Sequence, residues 1–409
     1  MATLEIQAHD RSSRARAGLL HTAHGDIRTP AFVPLATKAT VKGLLPAEVA
    51  ALGYDMVLGN TFHLMLNPGH ELIEQLGGLH RFMAWDRPII TDSGGFQVFS
   101  MGHGTIAQEI KSRPSRDRQG SSDKRAGAII SIEEQGVRFR SYVDGSERFL
   151  SPEDSMRVQA ALGSDIALVF DECTPFHVDR DYTARSTERT HRWLERCLRW
   201  HEAHGPRDQL VYGIVQGGVH EDLRRASAQA VAASACAGIA IGGSLGACKE
   251  QMYEVIDYAL DELGGDHQTR PRHLLGIGEV DDLITAVTLG IDTFDCAMPT
   301  RLGRHGTALV ADPENRWRVD LTNTRWRAEQ STLVEGCPCP ACSQGFSRAY
   351  LSYLLRAGEL TGLRLLSAHN LAFLSCLMAD LRRGILDGEL AAVAGSWRAG
   401  EFAGKHPGP

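Results

Sequence analysis

Two aspartates, Asp92 and Asp295, each close a short apolar run, and each is followed at once by residues that bend the chain. After the first comes Ser93-Gly94-Gly95-Phe96-Gln97, and after the second Cys296-Ala297-Met298-Pro299. Paired carboxylates in one pocket suit reaction at an anomeric carbon, where one attacks the carbon and the other manages the proton on the leaving group. Singly, either aspartate could cap a turn or helix. Asp171 and Gln216 end two further apolar runs and weaken that plainer reading, while Arg301 and Arg304 bring positive charge close behind Asp295. Glycines stand directly after strands at Gly94-Gly95 and Gly242-Gly243, where a backbone without Cβ lets amides approach a planar ligand. Neither run has the spacing of a dinucleotide or P-loop fingerprint. Phe96 is placed to stack on a purine, with Leu275 over the opposite face, although each residue type is more often core.

A second cluster is Cys337-Pro338-Cys339-Pro340-Ala341-Cys342, followed after 26 residues by His369. Three thiolates and an imidazole are the donor set of a closed, tetrahedral structural zinc site, with no position left for a catalytic water. His369 has the weakest support from spacing. Nine cysteines, an odd count with this cluster among them, point to metal rather than disulfides in a reducing compartment.

The elements that position these residues follow from a recurring rhythm. Apolar runs at 31–37, 55–60, 88–93, 165–172, 210–217, 238–243, 273–278 and 293–299 alternate with segments of helical spacing such as 151–162, 187–204, 221–237, 251–263 and 280–289. Eight strands alternating with helices predict a closed (β/α)₈ TIM barrel, the rival being an open doubly wound sheet. Polar or glycine residues end nearly every run, so they collect on the C-terminal rim, where such barrels keep their chemistry. Residues 1–30 read as an antiparallel lead-in, 31–310 as the barrel, 311–390 as an inserted zinc-binding subdomain with a closing helix around 367–386, and 391–409 as a tail. Residues 102–127, with six Lys or Arg among Ser, Gly, Pro and Gln, read as a mobile basic loop. A hairpin over 137–150 follows it. Arg316-Trp317-Arg318 and Arg325-Trp326-Arg327 interleave aromatics with cations, a pattern that serves nucleic-acid contact or plain surface.

The formal charge of −7 offers no bulk attraction for nucleic acid, so an RNA partner needs a local basic patch. No run of about 18 apolar residues occurs, and Met1-Ala2-Thr3-Leu4-Glu5 lacks a signal-peptide core, so the expectation is a cytoplasmic protein with no membrane partner.

Together Thr91–Gln97, Phe170–Pro175, Gly213–Gly218, Phe294–Arg304, the cysteine cluster and Ser347–Leu351 resemble the bacterial tRNA-guanine transglycosylases, in order from about Thr29 to the helix after His369. The resemblance implies a homodimeric (β/α)₈ barrel with a structural zinc. Such an enzyme exchanges the wobble guanine of tRNAs with GUN anticodons for a 7-deazaguanine, in queuosine modification. It implies that Asp295 is the nucleophile, giving a covalent tRNA–enzyme intermediate, and that Asp92 is the general acid/base. Asp171, Gln216 and Gly243 would read the base with help from Ser93, and Arg301 and Arg304 would contact the anticodon loop. Base exchange changes no bond type and calls for no further cofactor. Members commonly carry Gly-Gly-Leu-x-Val-Gly-Glu after the sixth strand, where this chain has Gly242-Gly243-Ser244-Leu245-Gly246-Ala247-Cys248. The loop is one residue shorter and lacks the glutamate, which raises the expectation that bulkier queuine is accepted at least as well as the 7-aminomethyl base. His273 and Leu275 stand where Tyr and Met are usual. The rival functions are a non-catalytic tRNA-binding partner subunit of the same fold, which should lack the nucleophile, and a retaining glycoside hydrolase barrel, which has no use for the zinc segment.

Overall fold

A computed structural model describes residues 4–96, 129–174, 178–264 and 269–401. The basic segment 102–127 and Gln97 lie outside the described residues. Eight parallel strands close a barrel: β1 Ala31–Ala36, β2 Val57–Gly59, β3 Ile89–Thr91, β4 Ile166–Leu168, β5 Leu210–Val215, β6 Gly238–Ile241, β7 Arg272–Leu274 and β8 Thr293–Cys296. Each pairs with its sequence neighbour, β8 returns to β1 through Thr293 opposite Ala31, and β3 pairs with β4. Closure excludes the open sheet. The strands are shorter than their apolar runs because pairing stops after three to six residues and the chain turns onto the rim.

Local signals start and stop the helices. Pro152–Leu162 begins with a Ser151–Asp154 capping box and ends on left-handed Gly163. Arg180–His204 starts at Arg180 rather than Thr187, because Asp179 accepts from the Tyr182 N–H and the first two turns bury Thr183 and Ser186 instead of large apolar groups.

The antiparallel lead-in is a three-stranded sheet, Leu4–His9, Arg16–Thr22 and Gly25–Thr29. It is tied to the N-terminal ends of the barrel strands. Arg16 forms a buried ion pair with Asp292, just before β8, at 2.6 and 2.8 Å. Asp165, just before β4, accepts from His24, His80 and the Ile89 N–H. The 137–150 hairpin gains a third strand, Ile129–Ile132.

After β8 come the short helix Met298–Arg304, a two-stranded ribbon of Thr307–Leu309 with Arg318–Asp320, the cysteine segment and the helix Leu360–Asp387. That last helix has the length and mean hydropathy of a membrane span, but 72% of its most apolar window is buried inside the molecule, as in a core helix. Residues 390–398 form a further helix whose Trp397 is buried against Phe373 and donates to Asp380.

Candidate active site

The rim residues stand just past the strand ends. Asp92 follows β3 and is held by the Asn60 amide and by the Thr61 N–H at 2.9 Å, the first residue of the helix Thr61–Leu66.

From Ser93 the wall runs without a break to Asp295. Ser93 Oγ donates to Asp171 at 3.0 Å, and Gln216 Nε2 donates to the other oxygen of Asp171 at 2.7 Å. Burial pushes Asp171 up to about 6 against these two hydrogen bonds. Gly243 (φ +76°) presses on Gln216, since a Cβ there would meet Gln216 Oε1 at 2.2 Å. Its N–H faces the sulfur of Cys173. Beside it, a Cβ on Gly242 would meet Leu275 at 3.0 Å. Among the described residues, Gln216 Oε1 and Ser244 Oγ are buried without a hydrogen-bond partner.

Arg224 stands behind this wall. Its buried guanidinium donates to the carbonyls of Val215, Gly218, Gly242 and Ser244, fixing the loops after β5 and β6 together. Burial lowers it to about 9. At the other edge of the Ser244–Cys248 loop, the Ala247 N–H is held by Gln251.

Asp295 lies in β8, nearly buried. One of its oxygens accepts from the Gly276 N–H at 3.1 Å and lies 3.2 Å from His273 Nε2. His273 is fully buried, and its Nδ1 is 2.9 Å from Thr293 Oγ1. A carboxylate only accepts, so the His273 Nε2–H donates to Asp295, and Nδ1 lies beside the threonine hydroxyl.

Arg301 and Arg304 lie on the last turn of Met298–Arg304, Arg301 exposed and Arg304 half-buried. Lys42 is lowered by burial, Arg304 and Lys38, while His63 falls to about 4 through burial, Lys38 and Lys42. A cationic cluster therefore flanks the rim. The Arg-Trp-Arg motifs divide. Trp317 is core, packed on Phe373 and Trp397, with Arg318 paired to Glu279; Trp326 lies between Arg325 and Arg348 at 4.4 and 5.1 Å. Phe96 is half-buried beside the rim, packed against the core.

Cys337, Cys339, Cys342 and His369 converge in a buried tetrad able to hold a metal ion. The three sulfurs lie 3.6, 3.2 and 3.6 Å from His369 Nδ1. Bond lengths typical of zinc place the S···N edges of a tetrahedron at about 3.6 Å, so the donor set fits. His369 Nε2 donates to the Leu309 carbonyl at 2.7 Å, which leaves Nδ1 as the ligand nitrogen. The next residue, Asn370, donates to the carbonyls of Pro299 and Thr307, so the tetrad also braces the segment that carries the two arginines.

Sequence reasoning had given no role to Arg224, Lys38, Lys42 or Gly276 and treated His273 only as pocket wall. Their partners are remote in sequence or on other elements, and only the unusual choice of histidine was visible beforehand.

A profile of the family described as Queuine tRNA-ribosyltransferase matches residues 10–402. Proteins named queuine tRNA-ribosyltransferase are similar over nearly their whole length. That of Roseiflexus sp. is 50% identical over 96% of this chain and 98% of its own, and that of Pelotomaculum thermopropionicum 46% over 94% and 95%. The Halalkalibacterium halodurans protein is 45% identical over 95% and 93%. With matches of this extent over a closed barrel and its cysteine–histidine tetrad, the chain belongs to the queuine tRNA-ribosyltransferase family.

Proposed function

We propose that the protein is a pentosyltransferase that exchanges the wobble guanine of GUN-anticodon tRNAs for a 7-deazaguanine through a covalent Asp295–tRNA intermediate. The observation that carries this reading is the unbroken wall Ser93–Asp171–Gln216–Gly243 leading to Asp295, with Asp92 next to Ser93. A guanine turned out of its stack offers two N–H donors on its pyrimidine edge, which suit the Asp171 carboxylate, and a carbonyl, which suits the Gln216 amide, with Gly243 shaping the wall beside it. Pyrimidines would leave the buried Asp171 unpaired.

Asp295 attacks C1′ as the glycosidic bond breaks, and Asp92 protonates the departing guanine. The incoming base then gives its proton to Asp92 and displaces Asp295. Phe96 and Leu275 would cover the faces of the base. Cys337, Cys339, Cys342 and His369 would hold zinc, whose part is to stabilise the fold. Two copies would form the working homodimer in the cytoplasm. Arg301 and Arg304 would contact anticodon phosphates, so replacing each with alanine should reduce the magnitude of the salt slope of stem-loop binding by about 1. An unchanged slope would remove them from the interface.

Arg224 and Gln251 hold the backbone of the 242–248 loop in this chain. We extend the proposal to this loop: it admits queuine at least as well as the 7-aminomethyl base. Strong preference for the aminomethyl base in direct competition would exclude that. The activity itself is tested by incorporation of labelled guanine into an anticodon stem-loop with G at the wobble position. Incorporation there and none into the same loop with A is the expected result; no incorporation by the zinc-loaded protein would favour the partner-subunit reading.

A further inference from the structure

The carboxylate of Asp295 is held unequally. One oxygen faces two donors, the Gly276 N–H and His273 Nε2–H, at 3.1 and 3.2 Å. His273 is fully buried and fixed from its far side by Thr293. We propose that His273, acting with the Gly276 N–H, sets how readily Asp295 leaves C1′ and so keeps the covalent intermediate short-lived. The inference rests on the reading of Asp295 as nucleophile.

In the first half-reaction the other Asp295 oxygen bonds to C1′ while the bond from C1′ to guanine breaks. The bonding pair departs with guanine, which takes a proton from Asp92. Asp295 is now a neutral ester, and the oxygen facing His273 is its carbonyl. In the second half-reaction the incoming base bonds to C1′ and yields its proton to Asp92, and the ester C–O pair returns to Asp295 as a carboxylate. Hydrogen bonds to a carboxylate are stronger than those to an ester carbonyl. The two donors therefore favour the states with free Asp295, and they speed breakdown of the ester more than its formation. His273 is a positioning residue: it touches the nucleophile, not the substrate.

This makes the outcome of removing it distinctive. A residue that only aims the carboxylate would, when lost, slow ester formation and leave less protein linked to RNA. A residue that improves the leaving group would, when lost, slow breakdown and leave more.

The test compares the zinc-loaded full chain with His273→Phe, which fills the space without a donor, and His273→Gln, which keeps an N–H donor. Asp295→Asn serves as the control, and rates are normalised to the fraction that binds the stem-loop. Labelled-guanine exchange gives kcat and KM, and denaturing gels of the steady-state reaction give the fraction of protein joined to RNA. For His273→Phe, the expected result is a fall in kcat of about ten- to hundredfold, the range of one hydrogen bond to a charged group, with a raised covalent fraction. KM should change in parallel with the shift in rate-limiting step. His273→Gln should stay near wild type in both readouts. Unchanged kcat in His273→Phe, a lowered covalent fraction in it, or the same loss in His273→Gln would each overturn the inference. Exchange that persists in Asp295→Asn would instead overturn the nucleophile reading, whereas an inactive Asp295→Asn beside a normal His273→Phe overturns this inference alone.

Discussion

Asp171 is a buried carboxyl held by two neutral donors, and its titration near 6 lies within reach of ordinary assay conditions. Above that pH it is ionised and, on the proposed reading, would accept from the two N–H groups of guanine. As pH falls through about 6 it takes up a proton and loses that capacity, so KM for guanine should rise by about tenfold for each pH unit below it. Measuring KM between about pH 5 and 8 checks this; a flat profile would mean that Asp171 does not read the base in its ionised form. Residues of this kind were legible in the sequence because they punctuate apolar runs. Arg224 was not, because it sits on an ordinary helix and acquires meaning only from four carbonyls on the loops after β5 and β6. His273 was visible as an unusual residue, but its role depends on Thr293 and Asp295 in the adjacent strand.

Among the elements, the segment from Cys337 to His369 joins a donor set split between a tight turn and the middle of a long helix. Local spacing gave the three cysteines, while the histidine needed the helix Leu360–Asp387 to bring it back. Cys339→Ser should lose the metal, measured by elemental analysis, and lower the melting temperature, because metal-binding energy is folding energy. Through Asn370 and the carbonyls of Pro299 and Thr307, it should also weaken stem-loop binding. Full metal content, or an unchanged melting temperature, would remove the tetrad from this role. Element ends were read less well than element types. Arg180–His204 hid its first turns because Thr and Ser replace apolar residues on the buried face, and the third strand beside the 137–150 hairpin lacked a clean alternation.

At the scale of the whole molecule, the proposed chemistry lies at the C-terminal ends of the barrel strands and the lead-in sheet is tied to their N-terminal ends. Eight apolar runs with polar ends favoured a closed barrel, but an open doubly wound sheet leaves the same pattern in each strand, and the pairing of β8 with β1 is what decides between them. The lead-in sheet, in contrast, revealed its attachment only through pairs such as Arg16–Asp292. Asp292 also accepts from the Arg272 N–H, and Asp292→Asn removes the negative charge that faces the buried Arg16 guanidinium. It should destabilise the fold by about 3–5 kcal/mol in denaturant unfolding while leaving kcat of the folded protein near wild type. A change confined to kcat would contradict this division. The central claim is covalent chemistry at Asp295, and the most direct measurement mixes the protein with a labelled wobble-G stem-loop, quenches in denaturant and looks for RNA that migrates with the protein. The account predicts an adduct with the wild type and none with Asp295→Ala, whose stem-loop affinity should be retained. An adduct, or guanine exchange, that survives in Asp295→Ala would contradict it.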